Sequence, residues 1–167
     1  MEKAERAPFQ MTVLELEALT PVDILRRAGI TVDIIAIDSR EVTGAHGIKV
    51  IADMTANEAK PHEYGTVIFP GGMPGASNLD ASDFSDKMIS AVLENCGRLA
   101  AICAAPLVLG RRGLLQGKRA TCFPGFEGEL KGALITDADV VTDGNITTAS
   151  GMPAAYAFAR ELENLLK

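Results

Sequence analysis

Apolar and polar positions alternate along this chain in two rhythms. Between Leu14 and Arg27, apolar residues recur at Leu16, Leu19, Val22 and Leu25. That spacing marks one face of a helix, with Gly29 as its stop. Pro21 lies inside the pattern and has no N–H to donate, so a kink or a break into two short helices is expected there. Thr31 to Ile37 and Thr66 to Phe69 are β-branched and apolar and read as strands, the second running into Pro70-Gly71-Gly72. Phe84 to Glu94 is an amphipathic helix, followed by an apolar strand that ends at Cys103 and a helix that ends near Gly113. A short strand near Arg119 to Cys122 leads into a connection through Gly125, Gly128 and Gly132. Strand-like pieces follow at Val140-Val141 and at Ile146 to Ala149. The last helix runs from Pro153 to Leu166, where Pro153 suits a first helical turn. Strands alternating with helices predict an α/β fold whose mainly parallel sheet is covered on both faces.

Length and composition narrow the function. At 167 residues, 47% apolar and 23% charged, the chain fits a single domain over 1–167 with a continuous core. A net charge of -6 with a pI near 4.9 argues against nucleic acid and membrane surfaces as partners, since both are anionic. No window approaches the length of a membrane span. Cys96, Cys103 and Cys122 are an odd set without CxxC spacing. A disulfide framework and a zinc cluster are therefore not expected, and a reducing, cytoplasmic setting is. Asp137, Asp139 and Asp143 are spread through turns and read as solvated surface rather than a metal site.

The chemistry concentrates at Leu99-Ala100-Ala101-Ile102-Cys103-Ala104-Ala105-Pro106. A strand that turns sharply into a helix lifts one side chain above the sheet edge, and backbone N–H groups at the turn favour negative charge there. For a cysteine this matters because the thiolate is the nucleophile. The competing reading is a small buried hydrophobe. In open parallel sheets, ligands bind beyond the carboxyl ends of the strands, which would bring Pro70-Gly71-Gly72 beside Cys103. Gly71 and Gly72 then read either as a tight turn or, with the Ala104 N–H, as donors to an oxyanion. Cys122 reads as buried and inert, and Cys96, beside Gly97, as exposed.

Three ordered segments carry a resemblance. Glu15-Leu16-Glu17-Ala18-Leu19-Thr20-Pro21-Val22-Asp23-Ile24-Leu25-Arg26-Arg27-Ala28-Gly29-Ile30 resembles the first helix of the ThiJ/PfpI superfamily, Phe69-Pro70-Gly71-Gly72-Met73-Pro74-Gly75-Ala76 its glycine turn, and Ala100-Ala101-Ile102-Cys103-Ala104-Ala105-Pro106 its cysteine elbow. The similarity is closest to the parkinsonism-associated deglycase branch. It implies a flavodoxin-like three-layer sandwich, usually a homodimer, that needs no cofactor. It makes Cys103 the reactive cysteine and Glu17 an acidic partner that keeps its proton and donates to the thiolate; spacing alone would leave Glu17 facing solvent like Glu15. Gly71, Gly72 and Ala104 become backbone donors. The implied activity is glutathione-independent glyoxalase or protein deglycase chemistry on small dicarbonyls or glycated proteins. The alternative is a redox-sensing stress protein or chaperone that uses Cys103 oxidation.

Departures from the family pattern sharpen this. Ala104 and Phe123 stand where many members place a histidine near the cysteine. A Cys-His peptidase needs a positioned base, so proteolysis is not expected unless a histidine arrives from elsewhere. His46 falls where the branch carries a polar or basic residue near the dimer contact, which leaves it either a contributor to the partner subunit's site or a structural residue. Pro8 interrupts the expected first strand, and Leu14 replaces the first acid of the family's pair. The first strand is therefore either short and irregular or diverged.

Overall fold

The computed structural model describes residues 6–9, as backbone, and residues 15–167. In chain order the elements are β1 (Arg6–Phe9), α1 (Glu15–Arg27), β2 (Thr31–Ala36), β3 (Glu41–Thr43), β4 (Lys49–Ile51), β5 (Met54–Thr55), β6 (Thr66–Phe69), α2 (Gly75–Asp80), α3 (Asp83–Glu94) and β7 (Arg98–Ile102). There follow α4 (Pro106–Arg111), β8 (Arg119–Ala120), β9 (Leu134–Ile135), β10 (Val140–Asp143), β11 (Ile146–Ala149) and α5 (Ala155–Leu166).

Seven strands form the central sheet in the order β10-β11-β7-β6-β1-β2-β5. All neighbours run parallel except β10 and β11. Every residue of β6 and of β11 is buried, so layers cover both faces of the sheet. Helices α1 and α5 pack on one another, while α3 and α4 pack on β6 and β7. The core between these layers is built on Leu25, Ile68, Phe69, Leu99, Ile102 and Phe158. Side chains of that size contribute about 1.5–3 kcal/mol each when fully buried.

In the chain's first third one expectation needs correction and one open alternative is decided. Helix α1 is continuous through Pro21, so the break into two helices does not occur. Pro21 withholds one hydrogen bond from the Glu17 carbonyl. Burial of Ala18, Val22 and Leu25 in the same face offsets that loss. Leu14, expected to begin the helix, lies outside the described residues. The first strand does form between β2 and β6, and it is short. Pro8 stands opposite Asp33, and among the described residues Phe9 pairs with Ile68 of β6.

Other elements gave little periodic signal. The β3–β4 hairpin closes through a Gly47 N–H to Gly44 carbonyl bond of 3.1 Å, but its residues are mostly exposed. The predicted strand at Arg119 to Cys122 stops at Ala120. Beyond it, the Thr121 N–H donates to Thr148 Oγ1 at 3.0 Å and the Phe123 N–H to the Cys103 carbonyl at 2.8 Å. Both leave the ladder, and the second steers this segment over the end of β7. Among the described residues no helix is long and apolar enough to cross a membrane.

Candidate active site

Strand register decides where the chemistry gathers. Phe69 pairs with Ala101 and Ala149 with Ile102, so β6, β7 and β11 end side by side. The turns that leave them, Pro70-Gly71-Gly72, Cys103-Ala104 and Ser150-Gly151, therefore share one edge of the sheet. Cys103 sits at φ +64°, the left-handed region that costs a non-glycine residue about 1–2 kcal/mol. Two backbone bonds hold it there: its N–H donates to the Ala149 carbonyl at 2.9 Å, and its carbonyl accepts from Phe123. The cysteine is 5% exposed, so water scarcely reaches the sulfur.

Glycine at position 71 is required by close approach. A methyl group there would lie 2.3 Å from Cys103 Cβ, 2.6 Å from Glu17 Oε2 and 2.7 Å from the Ile102 carbonyl oxygen. The cysteine and Glu17 thus flank the space that this missing side chain leaves open. At Gly151, a methyl would lie 3.2 Å from the Phe123 ring and 3.9 Å from Glu17 Oε1. The two Glu17 oxygens therefore face different ways, one toward the cysteine and one toward Phe123.

Glu17 is fully buried. Neither oxygen makes a hydrogen bond of ordinary geometry among the described residues. Burial raises its pKa; the nearby Cys103 thiol and Gly71 N–H pull it back in part. For Cys103, burial first, then the Glu17 charge and hydrogen bond, push the thiol up to about 12, against the opposing pull of the Gly72 and Ala104 N–H groups. Two of the upward causes depend on Glu17. Two anions this close in a low-dielectric site repel, so the pair retains a shared proton. With that proton on Glu17, the amides at Gly72 and Ala104 face a thiolate.

Glu15 corrects an expectation. It was read as solvent-facing, yet it is buried. Its carboxylate accepts the His46 N–H at 2.8 Å and contacts His46 Nδ1 at 2.9 Å. A methyl on Gly44 would lie 2.4 Å from Glu15 Oε1, so the hairpin tip closes directly on the carboxylate. These bonds, the His46 side chain first, hold the Glu15 pKa down to about 2. A depressed carboxylate stabilises the fold above its unfolded pKa of 4.5 and loses that contribution as pH falls toward 2. The urea midpoint of Glu15→Gln should accordingly fall less steeply than the wild type's between those pH values. Parallel curves would refute the assignment.

His46 therefore has a partner within its own chain. A carboxylate can only accept, so Nδ1 carries the hydrogen of that contact. His46, Glu15 and Glu17 line one cavity of about 670 Å³ with Leu16, Ile48, Phe123, Met152 and Pro153. A histidine thus reaches the neighbourhood of Glu17 from a loop remote in sequence. The apolar members of that wall were not identified as functional beforehand; Gly44 next to Ala45-His46 was the one available sign of a close approach. Cys122 is buried, with its pKa raised to about 11, by burial first and then by Glu127, and Cys96 is exposed. Among the described residues no group of three or more His, Cys, Asp or Glu could hold a metal. Asp143 instead accepts the Arg119 N–H, and Asp139 accepts from Ser150.

Comparison with known proteins supplies independent evidence. The model of the DJ-1/PfpI family matches residues 9–164. A deglycase of Pyrococcus horikoshii is 31% identical over 159 residues, covering 92% of this chain and 93% of its own. Protein DJ-1 homolog B of Arabidopsis thaliana is 35% identical over 147 residues, which span 87% of this chain but 34% of that longer protein. A solved structure of oxidized Toxoplasma gondii DJ-1 superposes with a TM-score of 0.86 at 32% identity, covering 96% of this chain and 89% of that one.

Proposed function

The chain belongs to the DJ-1/PfpI family, and from that premise we propose that it is a cofactor-independent cysteine enzyme acting on reactive dicarbonyls or their protein adducts. The observation that carries this reading is the buried Cys103 at a left-handed elbow, sharing the gap left by Gly71 with the fully buried carboxyl of Glu17. The deglycase from Pyrococcus horikoshii supports it.

The geometry fits a glyoxalase sequence. The Cys103 thiolate adds to the aldehyde carbon, and the aldehyde oxygen takes the proton that Glu17 held, which gives a hemithioacetal and leaves Glu17 as a carboxylate. Glu17, within reach of the same carbon, exchanges protons through an enediol to a thioester. The Gly72 and Ala104 N–H groups stabilise the developing oxyanion, and water releases the hydroxy acid. Lactate formation from methylglyoxal without glutathione tests the reading, with Cys103→Ser as the control. Glu17→Gln keeps the shape and removes the transferable proton, so kcat should fall roughly 10²–10⁴-fold, the usual share of general acid–base catalysis. A fall below about threefold would exclude Glu17 from proton transfer.

A second reading is redox sensing through Cys103, which the oxidized Toxoplasma relative supports. Intact mass after mild peroxide should show two added oxygens on wild type and none on Cys103→Ser. Turnover of dicarbonyls by the untreated protein favours the enzyme. The proposal includes a homodimer, checked by light scattering on a sizing column, and a cytoplasmic setting that suits three unpaired cysteines.

A further inference from the structure

We propose that Thr148 is a positioning residue for the nucleophile: its hydroxyl anchors the segment that turns the Ala104 N–H toward the Cys103 sulfur. This rests on the cysteine reading above and deepens it. Every residue of β11 is buried, yet Thr147 and Thr148 lie in it. A buried hydroxyl needs a partner, and neighbours along a strand face opposite sides of the sheet. On one side Thr147 Oγ1 meets Thr142 Oγ1 at 3.0 Å, and Thr142 Oγ1 donates to Glu161 at 2.8 Å. On the other, Thr148 Oγ1 accepts the Thr121 N–H at 3.0 Å, and both residues are buried.

That bond matters because of what the chain does two residues later. Strand β8 ends at Ala120 and pairs with β9, outside the central sheet. Residues 121–123 cross to the central sheet through two N–H groups: Thr121 to Thr148, and Phe123 to the Cys103 carbonyl at 2.8 Å. Strand β11 thus grips both ends of the elbow. The Ala149 carbonyl takes the Cys103 N–H directly. Thr148, its neighbour in the chain, holds the segment whose Phe123 N–H meets the Cys103 carbonyl.

The effect reaches the sulfur through one rigid unit. The Cys103 carbonyl and the Ala104 N–H belong to the same planar trans peptide, in which they point opposite ways. Fixing the carbonyl toward Phe123 therefore fixes the amide on the far side, where it faces the sulfur and favours the thiolate. At φ +64° Cys103 sits where side chains are disfavoured, so the elbow relaxes once that grip loosens. Cys103, Ala104, Thr121 and Thr148 are all buried within one chain, so the device is the same in a monomer and a dimer.

The test labels Cys103 with iodoacetamide across a pH series and reads it by peptide mass, with the exposed Cys96 as internal standard. Glu17, the titratable group beside the sulfur, is unchanged in every variant. Thr148→Val keeps the shape and removes the acceptor. Its Cys103 profile should move up by about one pH unit, part of what a hydrogen bond to a charged group supplies. Labelling at neutral pH should be severalfold slower, since greater intrinsic nucleophilicity recovers only part of the lost thiolate. For methylglyoxal, kcat should fall roughly tenfold with KM within about threefold. Thr148→Ser, which keeps the hydroxyl, should label like the wild type. So should Thr147→Val, which loses a hydroxyl on the opposite face. An unmoved profile in Thr148→Val, a serine variant that behaves like valine, or an equal shift in Thr147→Val overturns the proposal. If the valine variant does not fold, hydrogen exchange on the wild type decides. The Thr121 and Phe123 amides should be protected like those of β7, and exchange at the rate of a solvated loop overturns the anchor. Labelling needs no substrate, so absent dicarbonyl turnover would strike the proposed function and leave this result standing.

Discussion

Cys103→Ser is expected to lose methylglyoxal turnover by about 10³-fold or more while unfolding close to the wild-type midpoint. In the proposed reaction the nucleophile is the Cys103 thiolate, and a serine hydroxyl here has little to activate it: among the described residues lining the cavity, His46 is paired with Glu15, and burial raises the Glu17 pKa, which disfavours the carboxylate a base would need. Losing a nucleophile in other hydrolytic enzymes costs about 10⁶ in kcat, with residual catalysis left to oxyanion donors and binding. The donors at Gly72 and Ala104 survive the substitution, which is why the expected loss is put lower. Stability should change by no more than about 1 kcal/mol, because a hydroxyl in this position finds the same two amides. Lactate yield measures the first expectation and urea unfolding the second. Retained turnover would remove Cys103 from the reaction.

Gly71→Ala should be the most damaging single-methyl change at the site. The added carbon cannot be absorbed by a flexible side chain, since two of its three close neighbours are Cys103 Cβ at 2.3 Å and the Ile102 carbonyl oxygen at 2.7 Å. One closes β7 and the other follows it directly, and that strand is held by β6 and β11 on either side. Overpacking of this kind costs about 1–3 kcal/mol and sometimes more. In a chain of this size that lowers the melting temperature by roughly 2–12 °C. Activity should fall further than stability, because the displaced atoms carry the nucleophile and Glu17. Gly128→Ala is the comparison: nothing lies within 4 Å of its added carbon, and it should be close to neutral. Equal behaviour of the two variants would contradict the packing described at β7.

Much of this arrangement was legible in the chain, and the reasons are local. Buried strands such as Thr66–Phe69 announce themselves because each residue must suit an apolar layer. The elbow is legible because an apolar strand ending in Cys103 leaves little choice about where the next side chain goes. Other parts failed for equally definite reasons. Pro21 seemed to break α1, but helix packing offset its missing bond. Glu15 reads as solvent-facing because a glutamate is almost never buried unless paired, and nothing in α1 shows that the β3–β4 hairpin folds onto it.

The residue pattern alone therefore determined the alternation of strands and helices, the family likeness, and the candidacy of Cys103, Gly71 and Gly72, while Glu17 entered only through the family resemblance. Each depends on a short stretch whose physics is contained in its neighbours. Only the tertiary structure decided which face of α1 is closed by Glu15 and His46, that Glu17 is fully buried against Cys103 and Gly71, and that Phe123 rises beside it. These are contacts between segments far apart in the chain. They depend on the register of β6, β7 and β11 and on how loops return over the sheet edge. Burial, and with it the protonation of the Cys103–Glu17 pair, is a property of that assembled environment rather than of any residue in it.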